Sequence, residues 1–92
     1  MRQRVKVLSM GTGEYAAEVT EGENTTHHRV IVSDGLLDDL GAEPDDGVRI
    51  VEAALHGLLD REPGTAIEHD VNLDRALRER PELFDEIRAS LP

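Results

Sequence analysis

Cysteine is absent from this 92-residue chain, and aromatic residues are nearly so. Without thiols the chain cannot form disulfides or bind a metal through thiolates. Its aromatic residues are Tyr15 and Phe84 alone, so we expect an aliphatic core. No apolar run approaches the length that spans a membrane, and the first ten residues lack the apolar stretch of a secretory signal. These features predict a cytoplasmic protein.

Basic residues are also scarce, at 10 against 20 acidic ones, which gives a formal charge of −10. A negative field repels phosphate backbones, so a nucleic acid is a disfavoured partner, although a local basic patch would permit one. Lys6 is the only lysine. Arginine in place of lysine is typical of a GC-rich prokaryotic genome, and an acidic surface fits either ordinary solubility or a high-salt cytoplasm.

Alternating apolar and polar residues predict three strands in the first third of the chain. Short glycine-containing turns separate them, so we expect consecutive strands to pair antiparallel as a meander. From Ser33 onward, the apolar residues recur at the spacing of an α-helix. A single domain of residues 1–92 would then divide into a β-meander (1–33) and a helical part (34–92). The predicted strands are 4–10, 14–21 and 25–33.

Helical spacing after Ser33 predicts three to four helices. Ser33 or Asp34 can cap a short first helix. Pro44, followed by two acidic residues, opens a long helix over about 44–61. A meander followed by amphipathic helices is typical of the α+β class, with the long central helix buried. The remaining helices begin at Asn72 and Pro81.

The long helix is apolar on all but one narrow stripe, and a helix of that kind is buried. Its larger apolar face carries valine and leucine and suits the sheet. Gly57 lies in mid-helix on the smaller face, where glycine costs about 1 kcal/mol relative to alanine. Such a glycine is usually retained where backbones approach closely, so we expect a second helix to pack there. The small face consists of Ile50, Ala53, Ala54 and Gly57.

Two elements can cover this small face. One is the chain's own C-terminal segment, through Phe84, Ile87 and Leu91. The other is the same helix of a second copy. Because the C-terminal helices are predicted to be short, we favour the second copy. The small face is then the interface of a homodimer.

A glycine motif after the first strand imitates a dinucleotide-binding fingerprint. Gly11, Gly13 and Ala16 have the GxGxxA spacing, and Asp34 follows about 20 residues later. The fingerprint requires a helix directly after the glycines, whereas residues 14–24 have no helical apolar stripe. A glycine hairpin turn explains the motif better, and we expect no cofactor.

Metal binding and catalysis have little support in the sequence. His27 and His28 are adjacent on a strand and point to opposite faces, so they cannot chelate one ion together. Glu52, His56 and Asp60 share one helix face at a ligand-like spacing. A site there needs a second ligand cluster, for which His69-Asp70 is the one candidate. No carboxylate pair or serine has the setting of a catalytic group, so we predict no enzyme activity and no metal.

Two groups of basic residues stand out from the acidic background. Arg2, Arg4 and Lys6 alternate along the first strand and share one of its faces. Such a group protects an exposed sheet edge more often than it binds an anion. The arginines near the C-terminus are interleaved with acidic residues, as on an ordinary charged surface.

The strand and two helices over 29–40 and 48–62 resemble the ribbon-helix-helix layout. That resemblance implies a dimer in which one strand per chain pairs in the DNA major groove and the second helix forms the dimer core. The whole-chain order also resembles small uncharacterised prokaryotic proteins that have a tyrosine-containing hairpin and a leucine-rich helix ending in Arg61-Glu62-Pro63. No activity follows from that second resemblance.

Together these observations predict a non-enzymatic α+β interaction module that acts through a protein partner. The alternative is a regulator or antitoxin of the ribbon-helix-helix type that binds DNA.

Overall fold

A computed structural model describes residues 3–91, and it confirms the α+β class. Three antiparallel strands precede four helices, and a short fourth strand lies between the second and third helices. Single turns of 3-10 helix occupy Pro44–Asp46 and Gly64–Ala66. The strands are β1 (Gln3–Gly11), β2 (Glu14–Glu21), β3 (Asn24–Ile31) and β4 (Asp70–Asn72); the helices are α1 (Asp34–Leu40), α2 (Gly47–Leu59), α3 (Leu73–Glu79) and α4 (Glu82–Ser90).

The four strands form one sheet in the order β1-β2-β3-β4. The first three are antiparallel neighbours, as the short turns predict. Gly22 has φ +60° and opens the two-residue turn between Glu21 and Asn24, which is the glycine position of a type II′ hairpin. β4 pairs parallel with β3.

The helix boundaries follow local chemistry. The Ser33 hydroxyl accepts a hydrogen bond from the Leu36 backbone N–H at 3.1 Å, so Ser33 rather than Asp34 caps α1. The Asn72 side chain caps α3 in the same way, through the Arg75 N–H at 3.2 Å. The long helix is shorter than the predicted 44–61, because its proline-led first turn is 3-10 and its last α-helical residue is Leu59.

The core lies between one face of the sheet and the helices. Alternate residues of β2 and β3 point into it, including Tyr15, Val19 and Val30, and the opposite face of the sheet carries exposed Glu18 and His27. α2 is buried along most of its length, including Ile50 and Val51. This burial on two sides follows from a helix that has two apolar faces.

The second of those faces is covered by α4. A Cβ atom built on Gly57 would lie 2.6 Å from Cδ2 of Leu83 and 2.8 Å from a carboxylate oxygen of Glu86. Arg61 links the two helices, since its guanidinium donates to the Gly57 carbonyl of α2 at 2.6 Å and to the Glu86 carboxylate of α4 at 3.2 Å. The hydrogen bond to Glu86 raises the pKa of Arg61.

The small face, where the sequence favours a homodimer interface, is covered within the chain by α4. Ile50, Ala54 and Gly57 are buried within one chain, and Ala53 is half-buried. The C-terminal helices are long enough to cover the face, through Leu83 and Ile87, both of which are fully buried. The structure therefore offers no free surface there for a second copy, and the association of two copies stays a prediction.

Among residues 3–91, no helix is both long and apolar enough to cross a membrane.

Candidate interaction surface

The adjacent histidines of β3 lie in two different environments. His28 is 4% exposed, and its two ring nitrogens lie 2.7 Å from the Glu68 carbonyl oxygen and 2.8 Å from the Thr26 hydroxyl. Because a carbonyl only accepts, Nδ1 of His28 carries a proton and donates it to Glu68. His27 points to the other face, where it lies 3.5 Å from the Glu18 carboxylate.

The segment before β4 is tied to β3 by further bonds of the same kind. Nδ1 of His69 lies 2.9 Å from the His27 carbonyl oxygen and donates to it. The Arg29 backbone N–H donates to the His69 carbonyl at 2.7 Å. His28 and His69 thus hold the segment 67–70 against the sheet, which is a structural role.

No three histidine or carboxylate side chains within the described range 3–91 are grouped to hold a metal ion. The stripe of Glu52, His56 and Asp60 lies along the surface side of α2, with His56 and Asp60 exposed and Glu52 half-buried. His69, the candidate second cluster, is bonded instead to the His27 carbonyl on β3.

The glycine motif forms a hairpin turn. Residues 12–13 connect β1 to β2, and the chain continues from Glu14 as a strand, so the helix that a dinucleotide site requires is missing. Gly13 has φ +70°, and a Cβ atom there would lie 2.6 Å from the Val32 carbonyl oxygen. The glycine therefore serves the turn and its packing against Val32, the residue that follows β3.

The outermost strand, β1, leaves one row of backbone groups without a strand partner. Glu21 and Asn24 close the two-residue hairpin, so odd-numbered residues of β2 bond to β3 and even-numbered ones bond to β1. The β1 residues that lie opposite even-numbered β2 residues therefore bond to β2. Lys6, which lies opposite Glu18, is one of them. The N–H and C=O groups on the open edge belong to Gln3, Val5, Val7 and Ser9.

The exposed face of β1 is basic at one end and apolar at the other. Leu8 and Met10 are 56% and 63% exposed, and they are the exposed large hydrophobic side chains of residues 3–91. Arg4 and Lys6 are also exposed, and within the described chain neither has a carboxylate at ion-pair distance. Arg2, the third member of the predicted basic group, lies outside the described residues.

A cavity of about 370 Å³ opens at the apolar end of β1. Its inner wall includes Tyr15, whose hydroxyl end abuts the first residue of α2: a Cβ atom on Gly47 would overlap it. Its rim carries Thr12 and Asp34. The lining residues are Ser9, Gly11, Thr12, Gly13, Tyr15, Val32, Asp34, Leu37 and Pro44.

Sequence reasoning placed Arg4 and Lys6 on one face of the first strand and noted that this strand could be an edge; the structure confirms both. The same alternation predicts that Leu8 shares the face of Arg4 and Lys6, and Leu8 is exposed there. Met10 was not singled out from the sequence. The cavity depends on packing between distant segments and left no sequence signal.

The ribbon-helix-helix resemblance does not extend to the tertiary structure. β3 is the strand that would have to pair with its counterpart from a second chain. Both of its edges are already occupied, one by β2 and the other by β4. α2, the expected dimer core, is enclosed by the sheet and α4 of its own chain.

Comparison with known proteins found no matching family model, no matching curated protein and no matching solved structure.

Proposed function

We propose that this protein is a non-enzymatic interaction module that binds a protein partner through the open edge of β1. The observation that carries the proposal is the coincidence of an unpaired strand edge with the two exposed large hydrophobic side chains, Leu8 and Met10. A strand of another protein can add to such an edge, gaining main-chain hydrogen bonds from the backbone and specificity from the flanking side chains.

The features that usually protect an edge strand are present only in part. Arg4 and Lys6 would discourage random pairing of this edge, and a bulge between Ser9 and Gly11 interrupts the ladder. Leu8 and Met10 act in the opposite direction, because exposed apolar side chains on an edge promote association. An edge with basic side chains at one end and exposed apolar side chains at the other is suited to selective binding.

A second copy of the chain is one partner of this kind. With the small face of α2 covered by α4, β1 is the surface at which a homodimer would form by strand pairing. The alternative function, DNA binding, has less support, because the basic side chains on this surface are few and the net charge of the chain is −10.

The test is capture of a partner from the native source by variants that differ at one exposed position. Leu8→Lys places a charge in the apolar part of the surface. Thr25→Lys is its matched control, since Thr25 is exposed on β3, away from the open edge. We expect a partner that the unmodified protein and Thr25→Lys capture equally and that Leu8→Lys loses.

In the purified complex, the amides of Val5 and Val7 on the open edge of β1 should exchange hydrogen more slowly than they do in the free protein. A partner retained by Leu8→Lys, or one that leaves these two amides unprotected, would contradict binding at this edge.

A further inference from the structure

We infer that the open edge of β1 and the adjoining cavity form one binding site for an extended acidic segment of a different protein, which inserts a large apolar side chain into the cavity. The inference rests on the proposed function and specifies its partner. It combines three observations: the continuity of edge and cavity, the chemistry of the cavity wall, and the row of basic side chains.

The edge and the cavity meet at Ser9. The backbone groups of Ser9 face the open edge by the alternation of the ladder, and Ser9 also lines the cavity. An added strand would place the residue opposite Ser9 on the cavity side of the sheet, because paired residues in neighbouring strands point to the same face. One side chain of the added strand can therefore enter the cavity.

The cavity suits a large apolar or aromatic side chain. Its walls include Val32, Leu37 and the ring of Tyr15, with Pro44 beside them. A volume of about 370 Å³ is at the lower end of the range for ligand pockets, and such pockets are lined mainly by apolar groups with a few polar ones. The residues with polar side chains in the lining are Ser9, Thr12, Tyr15 and Asp34.

The other face of the added strand would meet Leu8, Lys6 and Arg4 in turn. Leu8 favours an aliphatic neighbour, and the two basic side chains favour acidic neighbours at alternate positions. In an antiparallel strand the pattern, read from the residue opposite Ser9, is large apolar, aliphatic, any, acidic, any, acidic. Antiparallel pairing is the slightly more stable arrangement and continues the ladder of β1 with β2.

Charge favours this occupant over a second copy. Pairing β1 with β1 would bring Arg4 and Lys6 of two chains onto one face and would bring together two bodies that each carry a net charge of −10, whereas a short segment with two carboxylates adds far less repulsion. Like charges on neighbouring strands are destabilising. An acidic segment instead gains from both basic side chains.

The probe is a fluorescein-labelled peptide containing Phe-Leu-Thr-Glu-Thr-Glu, measured by fluorescence polarisation at low salt. We expect saturable binding that weakens about tenfold when the phenylalanine is replaced by alanine, and again about tenfold with Lys6→Glu. Arg78→Glu makes the same charge change at an exposed position of α3, the helix that directly follows the opposite edge strand β4, and should bind the peptide as the unmodified protein does.

Ser9→Phe fills the mouth of the cavity at an exposed position. In this variant the peptide should bind more weakly, and replacing its phenylalanine by alanine should have no further effect. Circular dichroism checks that Lys6→Glu and Ser9→Phe remain folded. A peptide with the same composition in scrambled order should bind at least about tenfold more weakly than the designed one.

Three results would overturn the inference: no binding at millimolar peptide, equal binding by Lys6→Glu and Arg78→Glu, or sedimentation of the unmodified protein as a dimer that Leu8→Lys dissociates. The third result identifies a second copy as the occupant and leaves edge binding intact. The proposed function fails on different results, namely a native partner that Leu8→Lys retains or one that leaves the Val5 and Val7 amides unprotected, so the two failures are distinguishable.

Discussion

At the scale of single residues, His28 shows how a buried polar group is accommodated in an aliphatic core. Both ring nitrogens have partners, so burial at 4% exposure leaves no donor or acceptor unpaired. Its neighbour His27 has an exposed ring, which lies 3.5 Å from the Glu18 carboxylate. Two adjacent histidines of the same strand therefore contribute differently to stability.

Replacing His28 by alanine should destabilise the protein by about 1–3 kcal/mol, because the Glu68 carbonyl and the Thr26 hydroxyl lose their partner. His27→Ala is the matched control and should change stability by less than about 0.5 kcal/mol. Urea unfolding followed by circular dichroism measures both. Equal effects of the two substitutions would contradict the assigned role of His28.

Replacing glycine by alanine should have opposite effects on stability at two helical positions, Gly57 and Gly35. At Gly57 a Cβ atom would press on Leu83 and Glu86, whereas at Gly35 in α1 the nearest atom is the Ser33 hydroxyl oxygen at 3.8 Å. Alanine exceeds glycine in helix propensity by about 1 kcal/mol in a helix interior, and Gly35, in the first turn of α1, gains part of that amount. Overpacking typically costs about 1–3 kcal/mol.

We therefore expect Gly57→Ala to lower the thermal midpoint and Gly35→Ala to raise it. Differential scanning calorimetry at two protein concentrations checks both the direction and the absence of a concentration dependence. A Gly57→Ala midpoint that falls only in dilute solution would show that the small face is an interface between copies after all.

At the scale of secondary-structure elements, β1 has two chemically different rows of amides. Because bonded and unbonded pairs alternate along an antiparallel ladder, the amide of Lys6 bonds to β2, whereas that of Val7 faces the open edge. Proline lacks an amide hydrogen and is tolerated in sheets mainly at such open-edge positions.

Val7→Pro should accordingly remain folded and lose the partner, while Lys6→Pro should be less stable than Val7→Pro by about 1–3 kcal/mol, the cost of an unpaired backbone group. Chemical denaturation of the two variants measures the difference. If Lys6→Pro is the more stable of the two, the assignment of the open-edge amides is wrong.

Other elements show where local pattern sufficed. The Ser33 cap and the hairpin glycine Gly22 act within a few residues, and both were identifiable from the sequence. β4 was not, since a strand of three residues carries almost no periodicity. It is a strand only because β3 lies beside it and the histidine bonds hold it there.

At the scale of the whole molecule, the charge of −10 sets the dependence of stability on salt. Self-repulsion opposes compaction, and it is screened because the Debye length falls to about 8 Å at physiological ionic strength. We expect the thermal midpoint to rise from low salt to molar KCl. A flat or falling midpoint would contradict this, and folding only in molar salt would indicate a halophilic origin.

The sequence by itself determined the α+β class, the meander and most helix boundaries, because side-chain periodicity, caps and tight turns act over a few residues. Only the tertiary structure decided which element covers Gly57, which strand lies beside β3, and that a cavity adjoins Ser9. These features join residues far apart in the chain, so they depend on how the elements pack and not on any local pattern.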